Sequence, residues 1–226
     1  MPGTAHHTGH RDRLREKLTT AGGLALHDYE LLELYLFRCI PRRDVKPIAK
    51  DLIARFGDLG GVATAPLEQL TTVKGVSEKT AAELKLIKAL AERLAREQVI
   101  GRPAIASWSA LITYCRTAMQ HATTEQFRVL FLDRKNKLIA DEILGEGTID
   151  HAPVYPREVV KRALAHEASA IILVHNHPSG DATPSQADIE MTRSLMEICQ
   201  PFEIVVHDHL VIGRENTASF KTLGLI

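Results

Sequence analysis

Two histidines and an aspartate stand close together in the stretch VHNHPSGDATPSQAD, which runs from Val174 to Asp188. One residue separates His175 from His177, and Asp188 follows eleven residues after His177. Imidazole nitrogens and carboxylate oxygens are zinc ligands, and a catalytic zinc site combines three protein ligands with a fourth position for water. These residue types therefore indicate one Zn²⁺ per chain, held by His175, His177 and Asp188.

The residues before the turn explain how the two imidazoles are brought together. Residues 169–175, SAIILVH, form an apolar run that is typical of a central β-strand. Residues two apart in a strand point to the same side, so His175 and His177 are expected to face one way. The Pro-Ser-Gly turn at 178–180 then ends the strand.

The residues after the turn indicate a helix. Thr183 is a predicted N-cap, with Pro184 at the first helical position and Gln186 completing a capping box. Asp188 is then expected in the second turn, on the same helix face as Ser185. A strand end and a helix start would thus face each other and carry the ligands.

An alternative interpretation needs no metal. An H-x-H pair is weak evidence when it stands alone, and an acidic residue near a helix N-terminus interacts favourably with the helix dipole. The histidines would then be ordinary loop residues, and Asp188 would stabilise the helix. The complete spacing, including the turn and Ser185, favours the metal site.

The chain changes character near Gly101-Arg102-Pro103. Before this point apolar residues recur at helical spacing, and a long amphipathic helix is predicted from about Ser77 to Gln98. After it, QFRVLFLD and LIADEIL predict a hairpin joined by RKNK, and FEIVVHD and HLVIG predict two further strands. We expect a helical domain over residues 1–100 and an α/β domain over residues 103–226.

The composition limits the partners and the compartment. The 28 basic and 28 acidic residues cancel, so any contact with nucleic acid must be local. The sequence contains no apolar run long enough for a membrane span or a signal peptide. Cys39, Cys115 and Cys199 lack metal-site spacing and are expected to be buried free thiols. We expect a cytoplasmic protein with no membrane partner.

The motif around the histidines resembles a known family. His175, His177, Pro178, Ser185 and Asp188 match the JAMM signature of the Jab/MPN metalloproteases. The longer stretch HNHPSGDATPSQADIEMT, with PREVVKRAL before it and DHLVIG after it, resembles bacterial RadC, as does the helical first half. The resemblance implies a cytidine-deaminase-like, three-layer α/β domain with a mixed sheet, preceded by a small all-α helix-hairpin-helix domain.

The resemblance also implies roles for residues outside the ligand set. A glutamate before the first core strand acts as general base in JAMM enzymes, and Glu125 matches it because QFRVLFLD follows directly. Glu142, Glu146 and Glu158 are the competing candidates. The family's serine hydrogen-bonds the substrate oxyanion or the water, and Ser185 matches this position. Ser185 can equally be a simple helix-start serine.

A second H-x-H sequence follows at His207, Asp208 and His209. Strand alternation predicts that His207 and His209 share one face. Because the family places the zinc elsewhere, we expect these histidines to be structural or to orient a ligand. Asn176 and Ser179 are expected to fix the turn.

The segment LEQLTTVKGVSEKTAAELKLI looks like a helix-hairpin-helix. The backbone of such a turn can hold a DNA phosphate without reading bases, and the residues that would do so are Lys74, Gly75, Val76, Ser77 and Lys79. Ser77 replaces the usual second glycine, which puts close phosphate contact in doubt. The alternative is a helix pair that only packs against protein.

Two functions follow from these observations. The first is a zinc hydrolase that cleaves peptide or isopeptide bonds in a peptide or protein substrate. The second is a DNA-associated protein of repair or recombination, whose metal site is vestigial or cuts phosphodiesters. The complete ligand set favours the first. Any DNA binding should be weak, non-specific and salt-dependent, and the oligomeric state stays open.

Overall fold

The computed structural model of the protein describes residues 5–147 and 154–226. The chain divides into two compact units, Met1–Leu90 and Ala91–Ile226. The Gly101 amide, near the predicted boundary, donates to the carbonyl of Leu138 at 2.7 Å within the second unit. Independent folding of residues 1–100 and 103–226 stays a prediction. Over the described ranges, no helix combines the length and apolar character required to cross a membrane.

The first unit is helical. Its elements are α1 (Ala5–Ala21), α2 (Asp28–Cys39), α3 (Lys46–Phe56), α4 (Leu59–Thr64), α5 (Leu67–Thr71) and the first part of α6 (Glu78–Glu97). Leu36, Leu52 and Leu70 are fully buried in its core, and each such side chain contributes about 1.5–3 kcal/mol through burial. The predicted helical character of this part of the chain is confirmed.

A five-stranded mixed sheet forms the centre of the second unit, in the order β2-β1-β3-β4-β5. The strands are β1 (Gln126–Leu132), β2 (Leu138–Glu146), β3 (Ala170–Asn176), β4 (Val205–Ile212) and β5 (Thr217–Ser219). Among these five described strands, β3 and β4 form the one parallel pair. All seven residues of β3 are buried, which confirms its predicted central position.

Helices cover both faces of this sheet. Leu111 of α7 (Trp108–Met119) packs with Leu130 and Leu210 on one face. On the other face, α8 (Pro156–Ala165) and α9 (Gln186–Cys199) pack against Phe127 and Leu173. The three-layer α/β fold with a mixed sheet is therefore as the resemblance implied.

One prediction about β4 is wrong. FEIVVHD and HLVIG form one strand rather than two, and that strand contains a bulge. Ile171 pairs with Val206 but Ile172 pairs with Asp208, so His207 is an extra residue without a partner in β3. A bulge shifts the side-chain alternation by one residue, and His207 and His209 therefore face opposite sides of the sheet.

Candidate metal centre

Three candidate metal ligands lie close together where the central strand β3 ends. His175 belongs to the end of β3, His177 follows the strand, and Asp188 lies in the first turn of α9. The Nε2 atoms of the two histidines are 2.9 Å apart. Oδ1 of Asp188 lies 3.4 Å from Nε2 of His175, and Oδ2 of Asp188 lies 3.6 Å from Nε2 of His177. Ligand atoms about 2.0–2.1 Å from a tetrahedral zinc ion are roughly 3.3 Å apart. The spacing therefore fits zinc.

The ring of His177 is oriented by the loop that follows it. Its Nδ1 lies 2.7 Å from the carbonyl oxygen of Asp181. Because a carbonyl can only accept, Nδ1 carries a proton, and in the neutral ring Nε2 presents a lone pair to the cluster.

A chain of hydrogen bonds orients the ring of His175 in the same way. The hydroxyl of Thr192 donates to the carbonyl of Asp188 at 2.6 Å, so its oxygen accepts from Nδ1 of His209, also at 2.6 Å. Nε2 of His209 is then an acceptor for Nδ1 of His175 at 2.7 Å. The lone pair of His175 consequently lies on Nε2, and the chain of contacts links one candidate ligand to the backbone of another.

Burial and charge favour a neutral His209 and an ionised Asp188. Burial, together with nearby His175, lowers the pKa of His209 well below its ordinary value, so that ring is neutral. Burial alone would raise the pKa of Asp188, but the neighbouring imidazoles of His175 and His177 and the hydroxyl of Ser185 hold it well below its usual range. An ionised carboxylate that faces two imidazoles suits a bound cation.

The start of α9 differs from the prediction. The N-cap is Ser185 rather than Thr183, because Asp181 Oδ1 already binds both the amide and the hydroxyl of Thr183, at 2.9 and 2.8 Å. Ser185 Oγ accepts from the Asp188 amide at 3.2 Å and donates to the Asp188 carboxylate at 2.7 Å. Asp188 thus lies in the first turn rather than the second. The role of Ser185 toward a substrate stays a prediction.

Glu125 lines the same pocket as the cluster. The pocket has a volume of about 500 Å³, and its described lining comprises Ala122, Thr123, Glu125, His177, Pro178, Ser179, Ser185, Ala187, Asp188 and Arg214. The competing glutamates bind other groups. Glu142 pairs with Arg162 at 2.6 Å, Glu146 accepts from Gln126 at 2.8 Å, and Glu158 lies 3.3 Å from Lys161.

Asn176 fixes the segment that carries Glu125 rather than the turn after the histidines. Its Oδ1 accepts from the amide of Gln126 at 2.9 Å, and its Nδ2 donates to the carbonyl of Thr124 at 3.1 Å. Asn176 is only 1% exposed, so its side chain makes both contacts from a buried position.

Sequence reasoning missed two residues of this region, Thr192 and Arg214. Thr192 could have been found, because it lies one helical turn after Asp188 on the same face. Arg214 could not, because the turn that carries it reaches the pocket only through the pairing of β4 with β5.

A second pocket, of about 560 Å³, lies beside β2 and is lined in part by Tyr114, Arg128 and Asp141. The Asp141 carboxylate is bound by the hydroxyl of Tyr114 at 2.5 Å and by the guanidinium of Arg128. None of the candidate metal ligands is among the described residues that line this pocket. We therefore place the candidate functional site in the pocket that Glu125, His177 and Asp188 line.

The predicted DNA-contacting residues lie at the turn between α5 and α6. Gly75 has a φ of +96°, and a Cβ there would lie 2.8 Å from Cδ1 of Ile48, so this position requires glycine. Val76 is buried in the helical core and offers only its backbone. Ser77 accepts from the Thr80 amide at 3.2 Å. Contact of Lys74, Lys79 and this turn with DNA stays a prediction.

Known proteins share both parts of the chain. Residues 105–225 match the RadC-like JAB domain, and residues 6–82 match the UPF0758 N-terminal domain. A UPF0758 protein of Rhodobacter capsulatus is 59% identical over 213 residues, which are 94% of this chain and 100% of the relative. A UPF0758 protein of Ruegeria pomeroyi is 57% identical over 217 residues, 96% of this chain and 97% of the relative. The chain therefore belongs to the RadC-like JAB domain family and carries the UPF0758 N-terminal domain ahead of that domain.

Proposed function

We propose that the protein is a zinc-dependent hydrolase of the JAMM type, which cleaves peptide or isopeptide bonds. The observation that supports this most directly is the fixed orientation of both imidazoles. Nδ1 of His175 and Nδ1 of His177 each meet an acceptor, so both Nε2 atoms face Asp188. Metal-ligating histidines almost always donate their other ring N–H to such a partner.

Bound zinc would supply Lewis acidity and would lower the pKa of a water molecule to about 7. In the proposed reaction Glu125 accepts a proton from the attacking water as its oxygen bonds to the carbonyl carbon. Glu125 then returns this proton to the nitrogen as the C–N bond breaks, leaving a carboxylic acid and an amine. A carboxylate beside the ligands but outside the ligand set is suited to both transfers.

Ser185 would stabilise the carbonyl oxygen as it becomes negative. Its hydroxyl borders the pocket and donates to Asp188. Rotation about the Cβ–Oγ bond redirects this proton without moving the backbone, which the helix cap holds in place. Removal of one such donor typically costs about 10²–10³ in rate.

We further propose that the protein acts in the cytoplasm. Cys115 and Cys199 are buried free thiols, and Cys39 is a half-buried one. Free thiols persist in a reducing compartment.

The proposal is tested by metal analysis followed by peptidase and nuclease assays on the same preparation. The unchanged protein should hold one zinc per chain and hydrolyse peptides. Glu125→Gln should retain zinc and lose about 10²–10⁴ in rate, whereas His177→Ala should lose both. Glu158→Gln is the matched control, because it removes a carboxylate outside the pocket. Stoichiometric zinc in His177→Ala, or hydrolysis of DNA alone, would contradict the proposal.

A second candidate function concerns the helical unit, which we propose to contact DNA weakly at the α5–α6 turn. The positive φ of Gly75 and the Ser77 cap at the start of a 20-residue helix favour it. Affinity that falls steeply with salt and is lost in Lys74→Ala/Lys79→Ala would support phosphate contact. Binding that persists at high salt or prefers one sequence would contradict it.

A further inference from the structure

Arg214 is a positively charged residue in the lining of the pocket at the candidate metal centre. It lies in the turn between β4 and β5, and it lines the pocket together with Glu125, His177 and Asp188. Among the lining residues that the structure describes, Arg214 is the one lysine or arginine. A substrate that reaches the ligands therefore passes next to Arg214.

The turn that carries Arg214 is joined closely to the loop after His177. The Arg214 amide donates to the carbonyl of Gly180 at 2.9 Å. A Cβ on Gly213 would lie 2.5 Å from the Gly180 carbonyl oxygen and 3.0 Å from the Ala182 amide nitrogen. Real side chains do not tolerate such distances, so glycine at position 213 permits this approach. The distance from the arginine to the metal loop is thus set by backbone packing.

A second anchor comes from α7. Arg116 donates to the carbonyl of Glu215 at 2.7 Å and to that of Arg214 at 3.3 Å. The guanidinium of Arg214 itself lies 2.9 Å from Nδ1 of His121, which must accept because arginine only donates. Arginine has five N–H donors, so this contact leaves others for a ligand.

The charges in the pocket favour one kind of anion. The planar fork of a guanidinium matches a carboxylate with two parallel hydrogen bonds. A nucleic-acid strand carries a phosphate on every nucleotide, whereas the described lining of the pocket offers one arginine. A single carboxylate on a peptide fits this combination better.

We infer that Arg214 is a specificity-determining residue, which binds a carboxylate of the peptide substrate close to the scissile bond. The carboxylate comes from an acidic side chain or from the C-terminal end of the peptide. This inference rests on the proposed peptidase function, because it names the substrate class of the same site.

Matched peptides test the inference. One pair differs by Glu or Gln beside the scissile bond, and another pair by a C-terminal acid or amide. The zinc-loaded protein should show a kcat/KM roughly tenfold or more higher for the acidic member of one pair, and the pair that responds identifies the source. Arg214→Ala should remove the preference and Arg214→Lys should retain part of it. Arg157→Ala, which removes an 84% exposed arginine on α8, should change nothing.

Binding separates this inference from the proposed function. Calorimetric titration of full-length Glu125→Gln with the same peptides should show the same preference, and Arg214→Ala/Glu125→Gln should not. If no peptide is hydrolysed but this Arg214-dependent binding remains, the peptidase proposal fails and the carboxylate-binding role of Arg214 stands. Equal binding of acidic and neutral peptides overturns the inference. It is also overturned if single-stranded DNA binds more tightly than the acidic peptide and depends on Arg214.

Discussion

The side chain of Asn176 holds the backbone on both sides of Glu125. It accepts from the amide of Gln126 and donates to the carbonyl of Thr124, at 2.9 and 3.1 Å. Asn176 is also the residue between His175 and His177. One short segment of β3 therefore supplies a candidate ligand and positions the proposed base.

We expect Asn176→Ala to lower peptidase activity by about tenfold or more while the zinc content is unchanged. The truncation removes the partner of the Gln126 amide and of the Thr124 carbonyl, and each lost hydrogen bond typically contributes about 0.5–1.5 kcal/mol. Activity per bound zinc, measured well below the melting temperature, is the readout. The Glu125 variant supplies the control, since Asn176→Ala/Glu125→Gln should be no slower than Glu125→Gln. Full activity of zinc-loaded Asn176→Ala would show that Asn176 does not position Glu125.

The two histidines of the second H-x-H sequence should differ in their effect on zinc. His209→Ala removes the acceptor of His175 Nδ1, and loss of such a partner typically costs about 10–100-fold in metal affinity. His207→Ala is the matched control, because the bulge directs His207 toward Asn136, at 2.6 Å, on the opposite face. A chelator-competition titration measures both affinities. Equal affinities would mean that the His175–His209 contact does not orient the ligand.

Ser185→Ala should keep zinc and lose about 10²–10³ in rate, if its hydroxyl meets the oxyanion. Loss of the N-cap should also lower stability by about 1 kcal/mol. Ser185→Thr is the informative companion, because threonine can cap the helix and retains a hydroxyl. Thermal melts and rates of both variants separate the two roles. If the rates of the two variants decrease only in proportion to their loss of stability, Ser185 acts as a helix cap and has no catalytic role.

The stability contributed by Glu142 should depend on pH. A hydrogen bond from Arg162, followed by one from His166, lowers the pKa of Glu142 from 4.5 to about 2. The contribution is present above pH 4.5, and it is lost as the pH falls toward 2 because the carboxylate is protonated. Glu142→Gln should cost roughly 1 kcal/mol at neutral pH.

Melting curves between pH 3 and pH 7 measure this effect. The difference in melting temperature between the unchanged protein and Glu142→Gln should become smaller as the pH falls. Glu146→Gln is the control, because Glu146 faces the neutral amide of Gln126 rather than a cation. A difference that stays constant over this range would show that the ion pair does not stabilise the fold.

The sequence predicts features that depend on residues close together in the chain. It does not predict features that depend on how distant segments align or hydrogen-bond. The turn at 178–180 brings His175, His177 and Asp188 together over fourteen residues, so their proximity follows from local structure. The bulge at His207 depends on how β4 aligns with β3, which alternation along one strand cannot reveal. The start of α9 depends on Asp181, which binds Thr183 and leaves the cap to Ser185.

His207 is an extra residue in β4, so the alternation of side chains between the two faces of the sheet is shifted by one residue after it. Val206, before it, packs in the same layer as Phe127, and His209, after it, packs against the Phe127 ring. In a strand with regular alternation, residues three apart face opposite sides, so without the bulge one of these two side chains would face the layer that contains Leu210. Deletion of residue 207 would place Val206 and His209 two apart, so both would keep this side in a strand without a bulge, and His209 would still face His175. The bulge, rather than any contact made by the His207 side chain, therefore lets a strand with this number of residues present His209 to the metal centre.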